Sequence, residues 1–256
     1  MPGAAVPLPD VVARLRAAGC VFAEDEAALL LEAGGDLDAL VARRVAGEPL
    51  EQVLGWAEFC GLRFAVAPGV FVPRQRTRVL VREAVALARP GSVVLDLCCG
   101  TGAVGVAVAA AVGAVDLHAA DVDPGAVACA RRNGAGSVHE GDLYDALPAA
   151  LRGRVDVLVA NAPYVPTGAI ALMPPEARDH EARAALDGGD DGLDVQRRVA
   201  AGAPDWLAPG GALLIETSRQ QAPGTLAAVT RAGLTARVVT DEDLAGTVVV
   251  GQIPSG

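Results

Sequence analysis

Four polar residues lie at or just after the ends of consecutive apolar runs. Asp96 lies near the end of the first run and precedes the glycine-rich segment Gly100–Gly105, whereas Asp121, Asp142 and Asn161 follow the next three runs. If these runs are parallel strands, their carboxyl ends share one edge of a sheet, where such proteins bind ligands. Carboxylates there can hold a cationic or hydroxyl-bearing ligand, and a carboxamide can hold a flat nitrogen group.

The segment Gly100–Gly105 has the G-x-G-x-x-G spacing of a dinucleotide site, and Asp121 follows its first glycine by 21 residues. Glycines let the backbone approach a ligand closely, and Asp121 suits a ribose diol. The other polar residues favour S-adenosylmethionine over a nicotinamide cofactor, because Asp96 suits the methionine ammonium and Asp142 suits the adenine amino group. A nicotinamide site and a turn without any ligand stay open as alternatives.

Asn161, Ala162, Pro163 and Tyr164 follow the fourth run, and we expect them to face the same crevice. The Asn161 side-chain oxygen and the Ala162 carbonyl can each accept one N–H of a planar amide, which orients its weakly nucleophilic nitrogen. Pro163 would fix the turn, and Tyr164 would pack on the flat amide and exclude water. Only in combination with an S-adenosylmethionine site would this motif suit methyl transfer to a planar nitrogen. An ordinary turn capped by Asn161 is the alternative.

The elements that would position these residues alternate between apolar strands and amphipathic helices from residue 92 onward. This alternation is typical of βαβ units and predicts a parallel sheet covered on both faces. The predicted helices are Thr77–Ala88, one after Gly102, Pro124–Asn133 and one around Val195–Trp206. The predicted strands are Val93–Leu97, Val115–Ala120, Ser137–His139, Val155–Ala160, Ala212–Glu216, Thr235–Val239 and Thr247–Gly251.

The chain before residue 76 has two differently patterned parts. Residues 1–46 carry apolar residues at helical spacing and predict short helices. Residues 47–75 carry β-like runs broken by glycines and predict a β-hairpin linker. These runs are Trp56–Phe59, Leu62–Val66 and Val70–Val72.

The long segment of residues 161–194 is polar and rich in proline and glycine, and it is predicted to be a loop. Loops of this length in a compact domain are usually functional. It also holds an acidic cluster that lacks the alternation of a calcium-binding loop.

Beyond these patterns, the chain resembles the N5-glutamine methyltransferases that modify peptide-chain release factors. The signature of that family, Asn-Pro-Pro-Tyr, corresponds to Asn161–Tyr164, and the resemblance covers about Gly47–Gly251. The combination of the glycine turn with the linker and loop motifs makes the resemblance specific. The further matching segments are Glu48–Leu50 with Gly55, Gly61–Phe64, Val72–Arg74, Glu181, Ala185–Gly189, Asp191–Leu193 and Asp243–Gly246.

The resemblance implies a Rossmann-like, seven-stranded, mostly parallel α/β sheet of the class I methyltransferase type, in a domain spanning residues 76–256. It also implies that the helical residues 1–46 form a domain that grips a protein substrate, joined by the linker of residues 47–75. S-adenosylmethionine would be the cofactor and S-adenosylhomocysteine the product, with no metal.

The site residues that the resemblance implies fall into three groups. The catalytic residues would be Asn161, Ala162, Pro163 and Tyr164, and the substrate would be bound by Asn161, Tyr164 and Glu181. The cofactor would be bound by Asp96, Cys98, Gly100, Thr101, Gly102, Asp121, Val122, Asp142, Leu143, Asn161, Arg74 and Thr77.

Several positions depart from the family pattern. Ala162 replaces the first proline of the signature, which keeps the carbonyl but loses a constraint on φ worth about 0.4 to 1 kcal/mol. The family run Pro-Arg-Pro-Glu-Thr-Glu is here Pro73–Arg78, in which two acids have become arginines, Arg76 and Arg78. Cys98 stands where the family usually has glycine. The arginines leave the accepted substrate open.

Composition excludes several other classes of protein. The 256 residues carry a formal net charge of −10, of which −9 belongs to residues 91–256, and this charge argues against a general nucleic-acid binder. Five cysteines without metal-ligand spacing indicate neither a disulfide framework nor a zinc site and favour a reducing cytoplasm. The uncharged run Leu97–Val115 is interrupted by glycines and is explained better by a strand and turn than by a membrane span.

The sequence therefore predicts an S-adenosylmethionine-dependent N-methyltransferase of the cytoplasm, with a protein substrate, first of all a release factor, and no membrane contact. Two alternatives remain. An adenine N6 methyltransferase uses a related turn to hold a flipped base, although 3% aromatic content offers little for stacking. A cofactor-binding scaffold that has lost catalysis is the second.

Overall fold

The computed structural model describes residues 8–254. The helices in this range are α1 (Leu8–Ala17), α2 (Ala23–Ala33), α3 (Leu37–Val45), α4 (Leu50–Leu54), α5 (Arg78–Leu87), α6 (Ala103–Val112), α7 (Pro124–Arg132), α8 (Pro175–His180), α9 (Arg183–Leu186), α10 (Asp194–Trp206) and α11 (Ala222–Arg231). The strands are β1 (Trp56–Phe59), β2 (Leu62–Ala65), β3 (Val93–Leu97), β4 (Asp116–Asp121), β5 (Ser137–Glu140), β6 (Val155–Ala160), β7 (Leu207–Thr217), β8 (Thr235–Asp241) and β9 (Gly246–Gln252).

Seven of these strands form one sheet in the order β5-β4-β3-β6-β7-β9-β8. β9 pairs antiparallel with both of its neighbours, and the other pairings are parallel. The predicted Rossmann-like, mostly parallel sheet is therefore confirmed, and each predicted strand of this sheet is present. All five residues of β3 are buried, as expected for a central parallel strand covered on both faces.

The two faces of the sheet support two apolar clusters. Val93, Leu95 and Leu97 of β3 pack with residues of α10 and α11, whereas Val94 belongs to the cluster that contains α5 and α6. This alternation follows from the period of two in a strand. The helices hold the carboxyl ends of the parallel strands in place and leave them accessible as one edge.

The amino-terminal helices have a core of their own. Val11, Leu15, Leu30 and Val41 of α1 to α3 are fully buried against one another. Asp36 caps α3 by accepting a hydrogen bond from the Ala39 amide at 3.1 Å. The predicted boundaries at residues 46 and 75 stay predictions, and residues 1–7 and 255–256 of the outer two predicted domains lie outside the described residues.

A buried arginine connects the helical part to the segment before Glu181. Arg44 of α3 donates to Glu26 at 2.6 Å and to Glu176 of α8 at 2.6 Å. Gln52 of α4 donates to the carbonyls of Val70 and His180, each at 3.2 Å. These contacts connect α3 and α4 to α8 and to the backbone at Val70.

Two local predictions are wrong. Val70–Val72 is buried but is not a strand, because the Val70 carbonyl is bonded by a side chain and the Val72 amide donates to Glu181 at 3.1 Å. Residues 161–194 are not a plain loop, since they hold a 3₁₀ helix (Thr167–Leu172) and the short helices α8 and α9.

Two helices were not predicted. α4 lies inside the region read as β-like, and α11 follows β7 with its proline in the first turn, where the missing N–H costs nothing. No helix in residues 8–254 combines the length and the apolar character needed to cross a bilayer.

Gly136 allows the turn between α7 and β5 to pack against β4, and this gives a stability prediction. Its φ is +64°, and a Cβ there would lie 2.1 Å from the Leu117 carbonyl oxygen. Gly136→Ala should lower the free energy of unfolding by at least about 3 kcal/mol, measured by urea denaturation.

The matched control is Gly134→Ala, which has a φ of +74° but nothing within 4 Å of the added Cβ. It should cost about 1 kcal/mol, from the left-handed backbone alone. Equal losses for the two variants would contradict the packing explanation.

Candidate functional site

The carboxyl ends of β3, β4 and β6 border a large cleft with about 1130 Å³ of empty space. Because β6 pairs directly with β3, with Ala160 opposite Leu97, Asn161 and the glycine-rich turn start at the same level of the sheet. The predicted position of the fourth strand beside the first is confirmed.

The large cleft gathers most of the residues that the sequence assigned to the cofactor. Ten of those twelve residues line it, together with Pro163 of the catalytic motif. Gly102 and Arg74 do not line it. The ten are Thr77, Asp96, Cys98, Gly100, Thr101, Asp121, Val122, Asp142, Leu143 and Asn161.

The glycines of the turn have different physical roles. Gly100 has a φ of +54° and open space where a Cβ would be, on the cleft side. Gly102 instead faces the protein interior, since its Cβ would lie 2.6 Å from the Ala135 Cβ. A Cβ at Gly105 would likewise lie too close to the side chains of Leu117 and Asp96. Only Gly100 of these three therefore provides access to the cleft. Gly102 allows the start of α6 to approach α7 and the turn after it, and Gly105 allows α6 to pack on the sheet.

Two non-glycine residues of the large cleft have a left-handed backbone. Cys98 has a φ of +56° and Leu143 a φ of +49°. Such conformations cost of order 1 kcal/mol or more and cluster at functional sites. The strain at Cys98 explains why glycine is the better residue at that position for the backbone alone.

Asp96 and Asp121 are the two carboxylates deepest in the large cleft. Asp96 accepts from the Gly105 amide in the first turn of α6 at 2.8 Å, and Asp121 accepts from the Gly100 amide at 2.8 Å. Burial raises the pKa of Asp96 to about 8, helped by the nearby charge of Asp121. Burial also raises the pKa of Asp121, against the effect of its backbone hydrogen bonds. Both groups would be stabilised as carboxylates by a cation in the cleft.

Asp142 lies at the outer wall and forms an ion pair with Arg198 of α10 at 2.7 Å. Arg198 also lines the large cleft, although sequence reasoning missed it. No motif pointed to it, because the contact joins residues 56 positions apart.

A small cavity with about 370 Å³ of empty space adjoins the large cleft and shares Phe71, Asn161, Pro163 and Ala185 with it. Its other lining residues are Arg74, Arg76, Ala162, Tyr164, Val165, Met173 and Leu186. The predicted catalytic motif, Asn161–Tyr164, thus lies between the two cavities. Phe71 and Met173 were missed in the sequence.

Glu181 lines neither cavity. Its side chain is fully buried, accepts from the Val72 amide at 3.1 Å and forms an ion pair with Arg74 at 2.7 Å. Burial raises the pKa of Glu181, and Arg74 opposes this shift. The residue predicted to bind substrate therefore lies behind Arg74, which itself borders the small cavity rather than the large cleft.

Tyr164 is held at both its ring and its backbone. Its hydroxyl accepts a hydrogen bond from Arg76 at 2.7 Å, and its carbonyl accepts one from Gln221 at 2.8 Å. Arg76 Nε lies 3.4 Å from a buried carboxylate oxygen of Glu216, at the carboxyl end of β7. Desolvation raises the pKa of Glu216, and Arg76 opposes that shift. The rule that singled out Asp96 and Asn161, a polar residue at a strand end, would also have found Glu216.

Within residues 8–254, no three His, Cys, Asp or Glu side chains are grouped closely enough to hold a metal ion. The expectation of a metal-free site stays a prediction. The chemistry available here is that of carboxylates facing a cleft and of amide and carbonyl oxygens beside it.

Comparison with known proteins identifies the family. The family described as "Methyltransferase small domain" matches residues 61–189. The release factor glutamine methyltransferase of Geobacter sulfurreducens is 43% identical over 199 residues, which cover 76% of this chain and 69% of that protein. The 4-amino-L-phenylalanine/4-methylamino-L-phenylalanine methyltransferase of Streptomyces pristinaespiralis is 38% identical, covering 74% of this chain and 72% of that protein.

A solved structure supports the fold. A methyltransferase from Pyrococcus furiosus superimposes with a TM-score of 0.57 at 17% identity, covering 82% of this chain and 96% of the other. Family membership implies S-adenosylmethionine as the methyl donor, and the resemblance drawn from the sequence is confirmed. The chain belongs to the release factor glutamine methyltransferase family and is a methyltransferase.

Proposed function

We propose that this protein transfers a methyl group from S-adenosylmethionine to the side-chain amide nitrogen of a glutamine in a protein, with a peptide-chain release factor as the first candidate. The observation that supports this proposal most directly is that Asn161 lines both the large cleft, which is acidic, and the small cavity. The proposal includes a cytoplasmic location, where release factors act. The adenine N6 alternative is not favoured by the named relatives.

The donor set of the large cleft fits this cofactor. Four aspartates, Asp96, Asp121, Asp123 and Asp142, line it against a single arginine, Arg198. S-adenosylmethionine carries a sulfonium and an ammonium, and when bound it supplies an electrophilic methyl group. Asp96 would hold the ammonium, Asp121 the ribose hydroxyls and Asp142 the adenine amino group. The strained backbone at Cys98 and Leu143 shapes the wall between them.

The small cavity would hold the acceptor amide. Asn161 Oδ1 and the Ala162 carbonyl would accept its two N–H groups and keep the nitrogen facing the large cleft. The nitrogen forms a bond to carbon as the methyl group leaves sulfur, and its surplus proton passes to these oxygens or to water. Pro163 and Tyr164 would cover the flat face of the amide and exclude water.

Gly102 and Glu181 receive indirect roles in this proposal. Gly102 would act by letting the glycine turn pack closely on Ala135, not by touching the cofactor. Glu181 would act by fixing Arg74 at the edge of the small cavity. The helical residues up to 46 would help to grip the protein substrate.

The activity can be tested by mass spectrometry of candidate release factors incubated with the protein and S-adenosylmethionine. We expect the mass of one methyl group on a single glutamine. The same release factor with that glutamine changed to asparagine is the control and should gain nothing. Unmodified release factors under conditions in which the cofactor binds would contradict the assignment.

Asn161→Ala should lower turnover by about 10² to 10³, because one pre-organised contact to the reacting group is lost. Cofactor affinity, measured by calorimetry, should change little, since the carboxylates remain. Turnover equal to that of the unaltered protein would remove Asn161 from the mechanism.

Asp121→Asn should weaken cofactor binding about tenfold, because a charged acceptor of the ribose hydroxyls is lost. Asp116→Asn is the matched control, since it removes the same charge at the opposite end of β4. The dissociation constants of both variants are measured by calorimetry. Equal constants for the two would count against the ribose assignment.

Cofactor binding should release a proton from Asp96. The carboxyl is protonated at about pH 6.5, since its pKa is raised to about 8, and a bound ammonium favours the ionised form. Titrations at that pH in two buffers of different ionisation enthalpy should therefore report the release of nearly one proton, and affinity should rise with pH from about 6 to 7.

Asp96→Asn should bind without this proton release. Identical binding enthalpies for the unaltered protein in both buffers would show that Asp96 does not ionise on binding.

A further inference from the structure

The small cavity has the opposite charge to the large cleft. Arg74 and Arg76 line it, and no acidic residue of the described chain is among its lining. The surrounding protein is acidic, with a formal net charge of −10. Two arginines beside the proposed acceptor amide therefore contrast with the acidic character of the whole chain.

A buried carboxylate lies behind each of these arginines. Glu181 holds Arg74 at 2.7 Å with none of its own side chain exposed, and Glu216 lies 3.4 Å from Arg76 with 2% exposed. The arginine side chains keep 32% and 44% of their surface exposed. A guanidinium has five N–H donors, so a single carboxylate behind it leaves donors for a ligand in front.

Arg76 is fixed directly against the proposed acceptor site. It donates to the Tyr164 hydroxyl at 2.7 Å, and its guanidinium carbon lies 5.9 Å from the centre of the Tyr164 ring. A held guanidinium loses less conformational entropy when it binds a ligand than a mobile one. Its planar fork matches a carboxylate in geometry and charge.

We propose that Arg76 is a specificity-determining residue that binds a carboxylate of the acceptor, next to the nitrogen that is methylated. This inference rests on the proposed glutamine methylation and narrows its substrate class. The carboxylate can come from an acidic residue beside the glutamine in a protein or from the free α-carboxylate of a carboxy-terminal or small acceptor. Both sources present a carboxylate to the Arg76 guanidinium.

The test compares matched acceptors. Two peptides differ only in the residue beside the target glutamine, glutamate in one and a second, neutral amide in the other. Two N-acylated glutamines differ in a free or an amidated α-carboxyl group. We expect kcat/KM to be about tenfold to a hundredfold higher for the acidic member of at least one pair, and the pair that responds identifies the source.

The variant Arg76→Gln should bring the ratio of acidic to neutral acceptor close to one. Arg78→Gln is the matched control, because it removes the same charge from an exposed residue that does not line the small cavity. It should leave the preference intact. A preference that survives Arg76→Gln, or that Arg78→Gln removes equally, overturns the role of Arg76.

Binding without turnover separates this inference from the proposed function. The affinity of each acceptor is measured with protein loaded with S-adenosylhomocysteine, for the unaltered chain and for Arg76→Gln. Absence of methyl transfer at glutamine overturns the proposed function. Acidic and neutral acceptors that bind equally, or binding that is undetectable for all four, overturns the carboxylate site.

Discussion

The parallel pairing of β3 with β6 is the constraint on which the functional site depends. It places Ala160 opposite Leu97, so that the glycine turn and Asn161 emerge side by side at the carboxyl edge of the sheet. In any other strand order, the carboxylates of the large cleft and the carboxamide would face different surroundings. The buried faces of β3 and the helices on both sides make this pairing rigid.

Electrostatics divides the site at Asn161. The large cleft collects four aspartates, two of which have raised pKa values because burial removes them from water. The small cavity collects two arginines with buried carboxylates behind them. A cationic methyl donor would be attracted to the large cleft and an anionic acceptor to the small cavity. The two reactants would then lie on opposite sides of Asn161.

The sequence predicted the sheet well because parallel buried strands are long apolar runs with little ambiguity. It failed where backbone groups are bonded by distant side chains, as at Val70–Val72, which looks like a strand and instead bonds to Gln52 and Glu181. The acidic residues of the large cleft were predictable from their positions at strand ends. Glu216 was overlooked although it too lies at a strand end, whereas Arg198 was not predictable, because its ion pair with Asp142 is set by packing over a long separation.

The sequence alone therefore determined the element types, the order of donors along the functional edge and the family, since these depend on local patterns and motifs. Only the tertiary structure decided which of these residues line the large cleft or the small cavity. Gly102 turned out to pack inward, Glu181 lies behind Arg74, and Arg76 meets Tyr164 and Glu216. The physical reason is that burial and charge pairing arise between elements far apart in the chain, and no local pattern specifies them.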